Sequence, residues 1–380
     1  MKSLTKNSWI LLTGILLATG CTPQQEEKQT SLKDALNGKF YIGVAMNEAQ
    51  ILGTDTAAVQ TIREHFNSIT AENCMKSEAV QPQQGEFDFT LADKFVEFGE
   101  KNNMYVIGHT LIWHSQAPAW FFVDDEGNGV SRDVLLERMK KHITALVTRY
   151  KGKVNCWDVV NEAILDDGSW RSNKFYETIG KDYVKYAFQF AREADPDVEL
   201  LYNDYSMAHE GKRNGVVEMI KELQAEGIRI DGIGMQAHCQ TDFPPIDEFE
   251  KSIEAFASTD LDVHITEMDI SILPPPQNFD GAEISANFEY QQKMNPYPEG
   301  LPDSARIAQQ NRYMDFFHLF LKHQDKIKRV TMWGVNDAQS WKNNWPIHGR
   351  TDYPLLFDRN YRPKAIVGEI VKAAETGQNL

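Results

Sequence analysis

The sequence predicts an α/β fold, a (β/α)8 TIM barrel built as one domain, and three observations predict it. Short apolar runs alternate with longer segments of helical periodicity eight times along the chain, and a strand followed by a crossover helix is the unit that such alternation builds, with parallel strands. The repeats occupy roughly 340 of the 380 residues, which favours closure into a barrel over an open doubly wound sheet. No G-x-G-x-x-G follows the first apolar run, so a dinucleotide-binding sheet loses its main support.

The first strand is expected at 40–44 (FYIGV), a run of aromatic and β-branched residues, with a helix at 55–66. A strand at 68–71 (SITA) precedes a helix at 91–102, where Leu91, Phe95 and Phe98 recur at intervals of four and three. The third pair is 105–108 (YVIG) with a helix at 132–150, whose Leu135, Met139, Ile143 and Leu146 share one face. The fourth strand, 154–160, leads to a helix at 181–194, and the fifth, 200–202 (LLY), to a helix at 215–226. A sixth strand at 232–235 (GIGM) precedes a helix at 247–258 carrying Phe249, Ile253 and Phe256. The seventh strand, 262–266, and a helix at 304–323 are followed by the eighth, 329–332 (RVTM), and a closing helix at 363–374.

The chain begins with an address. Lys2 and Lys6 precede an apolar run at 9–18, shorter than the ~20 residues that span a bilayer. The run ends Ala18-Thr19-Gly20-Cys21, which resembles a bacterial lipoprotein signal cleaved before a lipidated cysteine. Residues 1–20 are therefore expected as the signal peptide, 21–35 as a flexible tether and 36–375 as the catalytic barrel. That places the protein in the cell envelope, at the outer membrane or cell surface, touching membrane through the N-terminal lipid only. Cys74, Cys156 and Cys239 remain without C-x-x-C spacing and are expected as buried free thiols. Hydrophobic residues at 42% and charged residues at 25% are the balance of a globular enzyme, while a net charge of -16 repels phosphate backbones and argues against nucleic acid.

Barrel enzymes work at the C-terminal ends of their strands, and here those ends are polar. They carry Glu72 and Asn73, His109, Asn161 and Glu162, Asn203 and Asp204, Gln236 and His238, Glu267 and Asp269, and Trp333. Asn73, Asn203 or Asp204 taken singly could each cap a helix. Glu162 and Glu267 are different, because each follows an apolar strand and an unpaired buried carboxylate costs several kcal/mol. Two carboxyls facing each other across a barrel mouth suit glycosidic bond cleavage, one protonated to donate to the leaving oxygen and one ionised to attack or to activate water. Trp113, Trp333 and Trp341 lie in or beside rim loops, where indoles stack on sugar rings, whereas Trp157 lies before the end of its strand and is expected in the core. Two other classes stay open on this reading. A metal-dependent barrel hydrolase could use His109, His114, His238 and Asp269, although no His-x-His pair marks the first strand. A glycan-binding protein on a hydrolase scaffold would leave the pair of carboxyls without a purpose.

GHTLIWHSQ (108–116), WDVVNEA (157–163), LYNDYS (201–206), IDGIGMQAH (230–238), ITEMDI (265–270) and MWGVNDAQSW (332–341) together resemble the ordered motifs of glycoside hydrolase family 10, the endo-β-1,4-xylanases. The resemblance implies a retaining double displacement on xylan, with Glu162 as general acid/base and Glu267 as nucleophile. It implies that Asn161 holds the 2-hydroxyl of the sugar being cleaved, that His238 holds Glu267, and that Asp269 fixes the imidazole, with Asn203 in support. Glu72, Asn73, Lys76, His109, Trp113 and Gln116 would grip the non-reducing side, with Gln236 nearby and Trp333 and Trp341 closing over the sugars. Xylan and xylo-oligosaccharides are the implied partners, the protein is expected to be a monomer, and neither a metal nor an organic cofactor is called for.

Three departures from the family pattern stand out. ENCMKS (72–77) carries Cys74 and Ser77 beside the expected Lys76 contact, Lys342 stands where the family commonly has Arg, and 343–353 reads as an insertion. The 270–302 segment, with six prolines, is long for a connection on the active-site face and is expected to form a cleft wall.

Overall fold

The structure is a computed structural model that describes residues 30–276 and 282–377. The expected signal peptide and Cys21 lie outside the described residues. Nine strands form one sheet: β1 Tyr41–Met46, β2 Ser68–Ala71, β3 Tyr105–Trp113, β4 Cys156–Asn161, β5 Glu199–Asp204, β6 Gly232–Met235, β7 His238–Gln240, β8 Asp262–Ser271 and β9 Ile327–Met332. β1 pairs with both β2 and β9, and a β6–β8 pairing closes the circle. The ladders are parallel, so the strands are buried on both faces, one toward the barrel axis and one beneath the helices. This is the (β/α)8 TIM barrel that the alternation predicts.

The barrel axis is packed rather than hollow. Ile107, Cys156 and Leu201 form a buried cluster inside it, and Arg329 is fully buried there, donating to His264 Nδ1 at 3.0 Å and Thr331 Oγ1 at 3.1 Å. On the opposite face of β4, toward the helix layer, Trp157 is 1% exposed near Tyr150, and a Cβ on Gly108 would lie 2.2 Å from its ring, so the glycine on β3 makes room for the indole on β4. Among the described residues no helix is long and apolar enough to cross a membrane.

Beyond shifts of one or two residues at element ends, several elements differ from expectation. β3 and β8 run on to Trp113 and Ser271, because inward positions at the top of the barrel line the cleft and are polar, so apolar patterning stops before the strand does. β7 is an added three-residue strand that pairs His238 with Asp269. The helix expected at 215–226 spans Glu210–Ala225, its first turn turning the buried polar residues Lys212 and Arg213 inward. The tether expected through residue 35 ends sooner: Ser31 caps a helix at Leu32–Ala35, and Leu32 and Leu36 are buried in the core.

Candidate active site

Backbone bonds between neighbouring strand ends set the key side chains next to one another. The Glu162 N–H donates to Asn203 O at 2.9 Å, Gln236 N–H to Asp204 O at 3.0 Å and Glu267 N–H to Gln236 O at 2.9 Å. Residues far apart in sequence thereby share one rim.

Glu162 follows β4 with φ +63°, a left-handed conformation that costs a non-glycine residue about 1–3 kcal/mol and persists where the surroundings impose it. Its Oε2 accepts from Trp113 Nε1 at 2.9 Å, and its Oε1 accepts from Asn161 Nδ2 and Gln236 Nε2, each at 3.0 Å. The carboxyl is 3% exposed. Burial, and next the charge of Asp204, push its pKa up to about 7, against the pull of the bonds from Gln236 and Trp113. Asp204 is itself buried, paired with Lys212 Nζ at 2.8 Å and bonded by the Tyr202 hydroxyl.

Glu267 sits within β8, and its Oε1 accepts from Asn203 Nδ2 at 2.8 Å while His238 Nε2 lies 3.3 Å from Oε2. Burial alone would raise its pKa. The bond to His238, the nearby His109 and His238 rings and the Asn203 amide outweigh burial and hold it below the usual carboxylate range. Behind it, Asp269 Oδ2 lies 3.0 Å from His238 Nδ1 and accepts from Trp341 Nε1 at 2.7 Å. Burial would lower the His238 pKa, but Asp269 and Glu267 raise it on balance, so the ring faces Glu267 as a cation or a strong donor. Asn203 Nδ2 is shared with Asn161 Oδ1 at 2.9 Å, so two amides run between the carboxyls. It caps no helix, since the next one begins at Glu210.

The expected sugar-gripping residues also converge. Lys76 Nζ donates to Asn73 Oδ1 at 2.8 Å and Gln116 Oε1 at 3.0 Å, and lies 4.9 Å from the Trp113 ring centroid. Asn73 donates to Glu72 at 3.2 Å, and burial raises the Glu72 pKa against the opposing charge of Lys76. His109 Nδ1 lies 2.9 Å from Asp158 Oδ2, and its ring meets Trp333 edge-on at 5.3 Å. Cys74 is buried in the core, and Ser77 Oγ lies 3.2 Å from His142 Nε2, so these two departures from the family pattern face inward rather than toward a sugar. His109 and His238 are each engaged by carboxylates and the His114 ring lies against Trp113; among the described residues, the one group of His, Cys, Asp or Glu side chains close enough to share a metal ion is Glu250, Glu254 and His323, none of them a rim residue.

The chain matches the glycosyl hydrolase family 10 profile over residues 31–373. It belongs to that family. Among known relatives it is 50% identical to endo-1,4-beta-xylanase A of Xylanibacter ruminicola over 349 residues, 92% of this chain and 95% of that protein. It is 41% identical to an endo-1,4-beta-xylanase of Geobacillus stearothermophilus, covering 90% and 98% of the two chains. The solved structure of a GH10 endoxylanase from a sugarcane soil metagenome superposes with a TM-score of 0.87 at 44% identity, covering 91% of this chain and 100% of that one.

Within this family 10 barrel, several residues shape the site that the sequence marks only as departures from the family pattern or does not mark at all. Lys342 is buried with Nζ 3.8 Å from Asp269 Oδ1 and 4.5 Å from the Trp341 ring, so a cation does stand behind Asp269. The 343–353 insertion supplies Trp345, stacked on Trp341 at 4.3 Å. Arg350 ties that insertion to the segment after β8 by donating to Pro274 O at 3.2 Å. Asp158 and Arg171 lack any signal of position, one lying mid-strand in an apolar run and the other in a turn. Tyr205 sits inside LYNDYS and could have been singled out there.

Proposed function

We propose that this chain is a retaining endo-β-1,4-xylanase, and that its site residues act as the family resemblance implies. The observation that supports this best is the contrast between two buried carboxyls on one rim, Glu162 raised toward neutrality and Glu267 lowered, which is the division of labour that double displacement requires. In the first step the Glu267 carboxylate attacks the anomeric carbon while the Glu162 proton passes to the leaving xylose oxygen, breaking the glycosidic bond and forming a glycosyl ester. In the second, Glu162, now ionised, takes a proton from water as the water oxygen attacks the same carbon and releases Glu267. Asn161, held by Asn203 and Gln236, would bind the sugar hydroxyl beside the reacting carbon. Attack by Glu267 itself, rather than through water, calls for a carboxyl separation of ~5–5.5 Å. The substrate class rests on relatives that carry the name endo-1,4-beta-xylanase.

Proton NMR of xylohexaose hydrolysis is the test. The β anomer should appear first and mutarotate; the α anomer first would rule out double displacement. Rates on xylan should exceed those on cellulose and mannan, and a preference for either of those would overturn the substrate assignment. The envelope location is proposed on the Ala18–Cys21 sequence alone: labelled palmitate should be incorporated by the full chain and lost in Cys21→Ala.

A further inference from the structure

Outside the groups that face a substrate, the segment after β8 is tied to the backbone of Glu162 through one arginine. Arg171 stands at the base of a turn closed by the bridge between Ile164 and Trp170, and its N–H donates to Ala163 O at 2.8 Å. Its guanidinium makes three separate bonds. Nε donates to the Glu162 carbonyl at 3.0 Å, Nη1 to Glu283 Oε2 at 2.6 Å and Nη2 to the Tyr205 hydroxyl at 2.6 Å. Glu283 belongs to the long segment after β8, and its neighbour Ala282 is buried with Tyr205 and Trp345. The carbonyl that Arg171 holds is that of the residue with φ +63°, whose orientation depends on whatever pins its peptide.

We propose that Arg171 is a positioning residue for Glu162 and that Glu283 keeps it in place, so that docking of the segment after β8 governs proton transfer to the leaving group. This rests on Glu162 being the acid/base. A guanidinium offers donors in fixed directions and can satisfy three acceptors at once, which an ammonium in its place could not do with the same geometry. With Glu283 truncated, Nη1 of a largely buried guanidinium loses its acceptor and its hold on the Glu162 carbonyl loosens. Displacement of the acid by ~1 Å is enough to slow proton transfer many-fold.

The test uses kcat/KM for two xylobiosides, one with phenol and one with 2,4-dinitrophenol as leaving group, because kcat/KM reports only the first displacement and dinitrophenolate leaves without a proton. Glu283→Ala should lose about tenfold on the phenyl substrate and less than about twofold on the dinitrophenyl one. Glu283→Gln, which keeps an acceptor oxygen for Nη1, should recover most of that loss. In a Glu162→Ala background Glu283→Ala should cost nothing more, since there is no acid left to position. Equal losses on the two substrates, or an undiminished loss in the Glu162→Ala background, would show that the bridge supports only the fold and would overturn the proposal. If Glu162→Ala itself loses equally on both leaving groups, the acid assignment fails and takes the proposal with it.

Discussion

Raising the pH through the Glu162 ionisation bears most directly on the division of labour between the two carboxyls. Burial and the Asp204 charge bring Glu162 to about 7 while Glu267 is held below its ordinary value. The pair therefore keeps one proton across a wide interval, and that proton resides on Glu162. As the proposed acid, Glu162 would donate only when protonated, so kcat/KM should fall as pH rises through about 7. As the proposed nucleophile, Glu267 would attack only when ionised, so kcat/KM should also fall as pH drops through its depressed pKa. Two pH units above its pKa, Glu162 is about 1% protonated, so kcat/KM for xylohexaose should lie about 100-fold below its plateau near pH 9 and about tenfold below near pH 8. Reducing-end release followed from pH 3 to 10 measures the profile. The same scan with dinitrophenyl xylobioside and Glu162→Ala should lack the basic limb altogether. A basic limb that survives in this variant, or one lying below about pH 5.5 in the wild type, would refute the assignment.

Other expectations concern stability and the cleft walls. Because the Glu162 pKa is raised in the folded state from 4.5 to about 7, the native protein binds more protons than the unfolded chain across that window, and stability falls as pH rises through it. At ~1.36 kcal/mol per pH unit the loss is about 3 kcal/mol. The Tm of Glu162→Ala relative to wild type should therefore shift in favour of the variant between pH 5 and pH 8, and a constant difference would contradict the burial argument. Gly108→Ala places a methyl 2.2 Å from Trp157 and should cost about 1–3 kcal/mol or more, read from the urea midpoint. Trp345→Ala removes the stack under Trp341, worth about 0.5–1.5 kcal/mol, so KM for long xylo-oligosaccharides should rise by about two- to tenfold with kcat little changed. An unaltered KM would remove Trp345 from the cleft wall.

The sequence by itself determined the eight strand–helix units, the parallel pairing of the strands and the rim position of Glu162 and Glu267, because apolar periodicity reports burial directly and a strand end in such a barrel has only one place to go. Trp157 could be assigned to the core on the same ground. Only the tertiary structure decided which polar side chains meet. Asn203 reads equally well as a helix cap until Glu210 is seen to start the helix; β7 carries too few residues to show a period, yet it sets His238 against Asp269. Arg171 and Glu283 are separated by 112 residues, and nothing in either local sequence marks them as partners. Local spacing fixes what each segment becomes, whereas closing the barrel brings distant strand ends and the segments between them within bonding distance. The pKa contrast between the two glutamates comes from those late, long-range neighbours, each too far away in sequence to leave a local pattern.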